Sequence, residues 1–257
     1  MSPPEFLSSP DPWAYLRRYT AARIAIGRSG GSQTTSSILD FRLSHARARD
    51  AVHATFDPGV VAGPLNEAGI PTEVLTTNVR DRREYLLRPD LGRTLDETSK
   101  ATLAGRSATD LVIIISDGLA AAAAERHAAA TVLPLILELQ SAGWNIAPVF
   151  IMPLARVKVQ DEIGSALNAR FSLMLLGERP GLGTPDSLGA YFTANPSPAR
   201  TDADRNCVSN IRPEGLPPAT AAAKLAWLLK ESRRLGLSGV NLKDNQSGAA
   251  QLIPQAG

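Results

Sequence analysis

Side chains able to do chemistry are scarce in this chain, so their types and spacing are informative. One cysteine, Cys207, stands in Asp204-Arg205-Asn206-Cys207-Val208-Ser209-Asn210, and three histidines, His45, His53 and His127, are scattered over 257 residues. A single thiol cannot close an internal disulfide, and these ligands are too few for a structural zinc cage. Arg205 beside Cys207 would lower the thiol pKa, but one cationic neighbour is a thin basis for a catalytic thiolate, and ligand contact through sulfur or backbone is the better reading. Ser116 lacks the flanking glycines of a nucleophile elbow, with Ile115 before it and Asp117 after it. Neither the glycine-rich dinucleotide fingerprint nor a phosphate-binding P-loop occurs. His45 and His53 read as structural, and His127 as a surface or partly packed residue.

The most promising stretch is Glu178-Arg179-Pro180-Gly181-Leu182-Gly183-Thr184-Pro185-Asp186-Ser187. Its glycines permit positive φ and close approach of a ligand to backbone. It follows the apolar run Phe171 to Leu176, and in open α/β sheets ligands bind outside the carboxyl ends of the strands. Two other strand ends are readable, Asp117-Gly118 and Met152-Pro153. Equally open is a plainer reading, in which Glu178 and Arg179 are a solvated pair and the glycines only turn the chain.

These positions imply elements that hold them. Leu111 to Ile115 is a β-branched run of strand length, and Leu119 to Gln140 an alanine-rich helix. Ala147 to Met152 reads as a second strand, Val157 to Ala169 as a helix and Phe171 to Leu176 as a third strand. Such alternation predicts right-handed crossovers and a parallel sheet buried on both faces. Ala219 to Leu235 predicts a last helix closed by Gly236, and Ser238 to Leu242 a further strand; the tail after Asp244 reads as frayed. Upstream, Trp13 to Ile26 and the stretch capped within Thr34 to Ser37 read as helices, Phe56 to Pro71 as a loop, Glu73 to Thr77 as an extended piece and Arg82 to Leu87 as a helix. The fold class is therefore α/β: a small helical N-terminal domain over residues 1–100 and a Rossmann-like parallel-sheet domain over 101–257.

Composition bounds the function. With 27 basic against 25 acidic residues the net charge is +2, too small for a dedicated nucleic-acid binder. The Arg-rich segment Arg42 to Asp50 is interrupted by acids and has few aromatics for stacking, so a solvated face or a subunit contact is favoured. No apolar run reaches the about 18 residues that span a bilayer, and Met1 to Trp13 has no secretory core. A cytoplasmic protein that binds neither membrane nor nucleic acid is expected.

Several strings, taken in order, resemble the small (light) subunit of ethanolamine ammonia-lyase. They are Ala22-Arg23-Ile24-Ala25-Ile26-Gly27-Arg28, Ser44-His45-Ala46-Arg47-Ala48-Arg49-Asp50, Arg88-Pro89-Asp90-Leu91-Gly92-Arg93 and Ser116-Asp117-Gly118-Leu119. Further on come Arg156-Val157-Lys158 with Asp161-Glu162-Ile163-Gly164, Gly177-Glu178-Arg179-Pro180-Gly181-Leu182, and Asp204-Arg205-Asn206-Cys207 with Ser209-Asn210-Ile211. The resemblance implies an adenosylcobalamin-dependent radical lyase that converts ethanolamine to acetaldehyde and ammonia. It implies that catalytic residues lie on a large barrel-type subunit, and that this chain joins a hetero-oligomer and covers the cofactor. In family terms the cofactor-binding residues carry over to Val157, Glu178 and Cys207. Members can also reside in a bacterial microcompartment, though the segment before Trp13 is shorter than in members with a long N-terminal extension.

The residues two before His45, His53 and His127 are Leu43, Ala51 and Glu125, so no D-x-H-x-x-G ligand to cobalt exists. The resemblance then implies a base-on cofactor that keeps its own benzimidazole, with no metal ligand from this chain. Two other readings remain: a structural assembly subunit, and a free-standing α/β hydrolase or nucleotide-binding module whose motifs are missing.

Overall fold

The computed structural model describes residues 11–20 and 22–245. The proposed frayed tail and most of the N-terminal segment lie outside them. In chain order the helices are α1 (Thr35–His53), α2 (Pro58–Glu67), α3 (Arg82–Leu87), α4 (Glu97–Leu103), α5 (Ala121–Ser141), α6 (Val159–Ala166) and α7 (Pro218–Leu235). The strands are β1 (Thr72–Val74), β2 (Leu111–Ser116), β3 (Val149–Ile151), β4 (Phe171–Gly177), β5 (Leu188–Ala194) and β6 (Arg205–Ile211).

They form one six-stranded sheet in the order β1-β3-β2-β4-β5-β6. β1, β3, β2 and β4 run parallel, while β5 is antiparallel to both of its neighbours. The sheet is thus mixed, which corrects the all-parallel expectation. β4 reaches β5 through the loop at 178–187 without a crossover helix, and a short connection can only return antiparallel. β1 pairs with β3, so residues on either side of position 100 share the sheet.

Period-two alternation divides the sheet's side chains between two cores. Ile113, Ile115, Leu173 and Leu175 face α2, α5 and α7, whereas Val112, Ile114, Phe150 and Met174 face α4 and α6. The alanines of α5 let it lie close to the sheet, with Ala123, Ala124 and Ala128 fully buried. Beyond α6, no helix among the described residues covers the second face of β5 and β6; on that face Tyr191 is partly exposed and Cys207 exposed.

Other differences from the sequence reading have local causes. Phe56 to Pro71 is mostly helix: Asp57 caps α2 by accepting from Gly59 N at 2.8 Å, and Pro58 occupies the first turn, where a missing N–H costs nothing. Asp96 likewise starts α4, which sequence reasoning missed, by accepting from Ser99 N at 2.8 Å. Among the described residues of Trp13 to Ile26 there is only a 3-10 turn, Ala14–Arg18, with no buried residue in it to anchor a longer helix. Ser238 to Leu242 forms a 3-10 turn, Gly239–Asn241, because Asn206 binds its backbone from the side. Thr34 caps α1, and Gly236, at φ +71, closes α7.

Candidate functional site

Of the three strand ends readable in the sequence, Asp117-Gly118 after β2 and Met152-Pro153 after β3 lie side by side in the sheet. The crevice between them is filled by the protein itself. Asp117, only 2% exposed, is ion-paired to Arg82 at 2.8 Å and accepts from Leu154 N at 2.7 Å. Burial pushes its carboxyl up against the opposing pull of Arg82. Gly118, at φ +52, and Gly177 meet here; a Cβ on Gly177 would overlap the carbonyl oxygen of Ala120. The Asp-Gly strand end is a lock between α3, β2 and the loop before α6.

The open space lies beside it, on the uncovered half of the sheet. A groove of about 810 Å³ is lined by Val157 and Leu176, by Tyr191 of β5 and Cys207 of β6, and by the basic residues Arg93 and Arg156. Its floor is set by Arg205, whose guanidinium donates to both oxygens of Asp161 of α6, at 2.8 and 2.7 Å, and to Thr193 Oγ1 at 3.1 Å. Of the Asp204 to Asn210 segment, read from sequence as a polar loop, all but Asp204 belongs to strand β6. Arg205 and Val208 are buried while Cys207 is exposed.

Tyr191 and Cys207 are cross-strand partners. Burial raises the thiol pKa, the hydrogen bond with Tyr191 lowers it, and the nearby charge of Glu178 raises it again. Burial, Cys207 and Glu178 all push the Tyr191 phenol up. Both groups are therefore neutral near pH 7, and the site holds no poised nucleophile. Glu178 reaches the same open face without lining the groove. Its Oε2 accepts the hydroxyl of Ser187 and, at 3.3 Å, the Asn210 amide. Among the described residues Oε1 receives no hydrogen bond. Gly189 makes this approach possible: a Cβ there would lie 2.9 Å from Glu178 Oε1 and 3.0 Å from the Tyr191 ring.

The structure thus brings Val157 and Cys207 to one groove and Glu178 to its border, across Gly189 and Tyr191. Sequence reasoning overlooked Tyr191, Arg93 and Arg156 as lining residues. The alternation Gly189, Tyr191, Thr193 on one side of an otherwise apolar strand was the available signal for the first. His127 is buried, contrary to the surface or partly packed reading, with Nε2 unpartnered. No cluster of His, Cys, Asp or Glu among the described residues could hold a metal ion. No described helix is long and apolar enough to cross a membrane.

Comparison with known proteins agrees in chain length and order. A family model described as ethanolamine ammonia-lyase light chain matches residues 10–243. A protein of Rhodopseudomonas palustris named ethanolamine ammonia-lyase small subunit is 50% identical over 232 residues, 90% of this chain and 89% of that one. Proteins of the same name from Pseudomonas fluorescens, 47% identical over 248 residues (94% of this chain and 90% of that one), and Azotobacter vinelandii, 48% identical over 239 residues (91% and 88%), are similar along nearly the whole length. With half of the aligned residues identical over nine-tenths of its length, the chain belongs to the ethanolamine ammonia-lyase light chain family.

Proposed function

We propose that this chain is the small subunit of an ethanolamine ammonia-lyase, that it contacts adenosylcobalamin through the open half of its sheet, and that it pairs with a large subunit carrying the catalytic residues. The observation that carries the reading is the groove itself: a built, partly basic surface at the carboxyl side of the sheet, with ligand-facing groups and no activated nucleophile. The residues present suit a corrinoid. Val157 and Leu176 offer apolar wall, Tyr191 an aromatic face, and Arg156 a buried Nε with no acceptor.

When bound, adenosylcobalamin supplies the radical chemistry that converts ethanolamine to acetaldehyde and ammonia. This chain's residues position and shield. The free Oε1 of Glu178 accepts from amide N–H groups, a charge-assisted bond of about 1.5–3 kcal/mol. Cys207 contributes a neutral thiol at the strand edge. Lacking a histidine in D-x-H-x-x-G, the chain offers cobalt no ligand, so the cofactor keeps its own base.

Pairing is supported by α1. Of its 19 residues only Ser37 is buried, while Leu39, Phe41 and Leu43 are 59%, 44% and 50% exposed. An isolated helix with apolar side chains in water is poorly stabilised and gains by covering them. The near-neutral charge suits a protein partner and a cytoplasmic enzyme, inside or outside a microcompartment.

Reconstitution tests the reading. The chain alone with adenosylcobalamin should not deaminate ethanolamine, and activity should appear on adding the large subunit; robust activity from the chain alone refutes it. In the complex, Glu178→Ala should raise the cofactor Kd far more than the KM for ethanolamine. Unchanged cofactor affinity removes Glu178 from the site.

A further inference from the structure

The charges of the groove do not all balance within the chain. Arg205 is closed by Asp161 and Asp202, Lys158 by Asp161 and the carbonyls of Pro198 and Arg200, and Arg200 by Asp204. Asp202 is the acidic member of the lining and is engaged by Arg205 at 3.3 Å. Two guanidinium groups are left. The exposed Arg93 side chain makes no hydrogen bond or ion pair with any described residue. Arg156 has no carboxylate partner among the described residues. Its Nη2 donates to the Tyr85 carbonyl at 2.7 Å, its Cζ lies 3.9 Å from the centre of the Tyr85 ring, and its Nε is buried with no partner among the described residues.

Backbone holds the two together. Arg156 N donates to the Gly92 carbonyl at 2.7 Å, and a Cβ on Gly92 would stand 3.0 Å from both Arg156 Cγ and the Leu154 oxygen. Glycine therefore lets the turn at Leu91–Arg93 lie against Arg156 and present both cations to the same corner of the groove. Two unneutralised guanidiniums at a partly desolvated corner make a site for a singly charged oxyanion.

We propose that Arg93 and Arg156 form an anion subsite that receives the phosphodiester of a cobalamin's nucleotide tail. The proposal rests on the cofactor reading above. In a cobalamin that keeps its own base, the peripheral amides are neutral and the phosphodiester is the one ionised acid, so it is the group that two arginines without carboxylates would select. Arg156 acts as the fixed donor, stacked on Tyr85, and Arg93 as the outer one.

The test is binding to the assembled two-subunit complex, read by absorbance titration and equilibrium dialysis, with cobalamin and with cobinamide, which lacks the nucleotide and its phosphodiester. Arg93→Ala and Arg156→Gln should each raise the cobalamin Kd about tenfold or more and leave the cobinamide Kd unchanged. Because the Arg93 side chain bonds to no described residue, its substitution gives an answer even where Arg156→Gln disturbs packing on Tyr85. Equal loss for both corrinoids, or an unchanged cobalamin Kd in Arg93→Ala, overturns the proposal. Calorimetry with inorganic phosphate separates the other source of the same chemistry: phosphate binding that both substitutions abolish, without any difference between the corrinoids, marks a free-phosphate site and also overturns it. A wild-type complex that binds neither corrinoid overturns the cofactor reading and the subsite with it.

Discussion

The carboxylate of Asp161 on α6 and the guanidinium of Arg205 on β6 form a two-pronged ion pair, at 2.8 and 2.7 Å, with the side chains 1% and 3% exposed. This pair crosses from the helix-covered half of the sheet to the open half and fixes the floor of the groove. Removing one partner leaves the other charge buried. Asp161→Ala should therefore cost about 3–5 kcal/mol in chemical denaturation, more than the Asp161→Ala/Arg205→Met double substitution. A single-variant loss below about 1 kcal/mol would show that the pair does not anchor the fold.

At the end of β4, Gly177 lies against the carbonyls of Asp117 and Ala120, and Leu119 N donates to the Gly177 carbonyl at 2.8 Å. No side chain fits there. Gly177→Ala should destabilise by about 1–3 kcal/mol, and a wild-type denaturation midpoint would contradict the close approach.

Burial holds the His127 imidazole below its ordinary pKa of 6.5, with Asp186 and Glu214 pulling up and Arg126 pulling down. The folded state thus prefers the neutral ring, and the unfolded chain takes the proton first as pH falls. The stability involved is present above the unfolded pKa and lost below it, at no more than about 1.4 kcal/mol per pH unit. His127→Gln should lose this slope as the pH falls below about 6.5 in urea titrations. An identical slope in variant and wild type assigns the acid sensitivity elsewhere.

Cys207 is the one cysteine of the chain, so its alkylation rate reports a single thiol. The pH midpoint of that reaction should lie above the ordinary thiol range, because burial outweighs the lowering effect of Tyr191. Tyr191→Phe removes the lowering hydrogen bond and should move the midpoint higher still; a fall would mean that the phenol acts on the thiol in the opposite sense.

A neutral Cys207 thiol would serve as a cofactor contact and not as a base or nucleophile. Cys207→Ser should leave turnover of the reconstituted enzyme largely intact. Complete loss of turnover with cofactor binding preserved would point to chemistry at sulfur.

Wherever periodicity was strong and local, sequence alone determined the element: the β-branched run of β2, the apolar β4, the alanine-rich α5 and the Gly236 stop of α7 all depend on neighbours a few residues away. The same reasoning found the strand end at Gly177-Glu178, because a glycine-rich exit from an apolar strand is a local signal. It missed β5 and misread β6, since a strand with one face open to a polar groove has no full apolar alternation, and its pairing partner is chosen across the chain. Nor did it show that Arg82 fills the space at Asp117-Gly118, another of the strand ends it could read. Only tertiary structure decided that β5 returns antiparallel and that no described helix covers the groove side of β5 and β6. Only the Arg156 N to Gly92 carbonyl bond decided that Arg93 and Arg156, far apart in sequence, share one corner, because such a contact is set by backbone packing that no local pattern encodes.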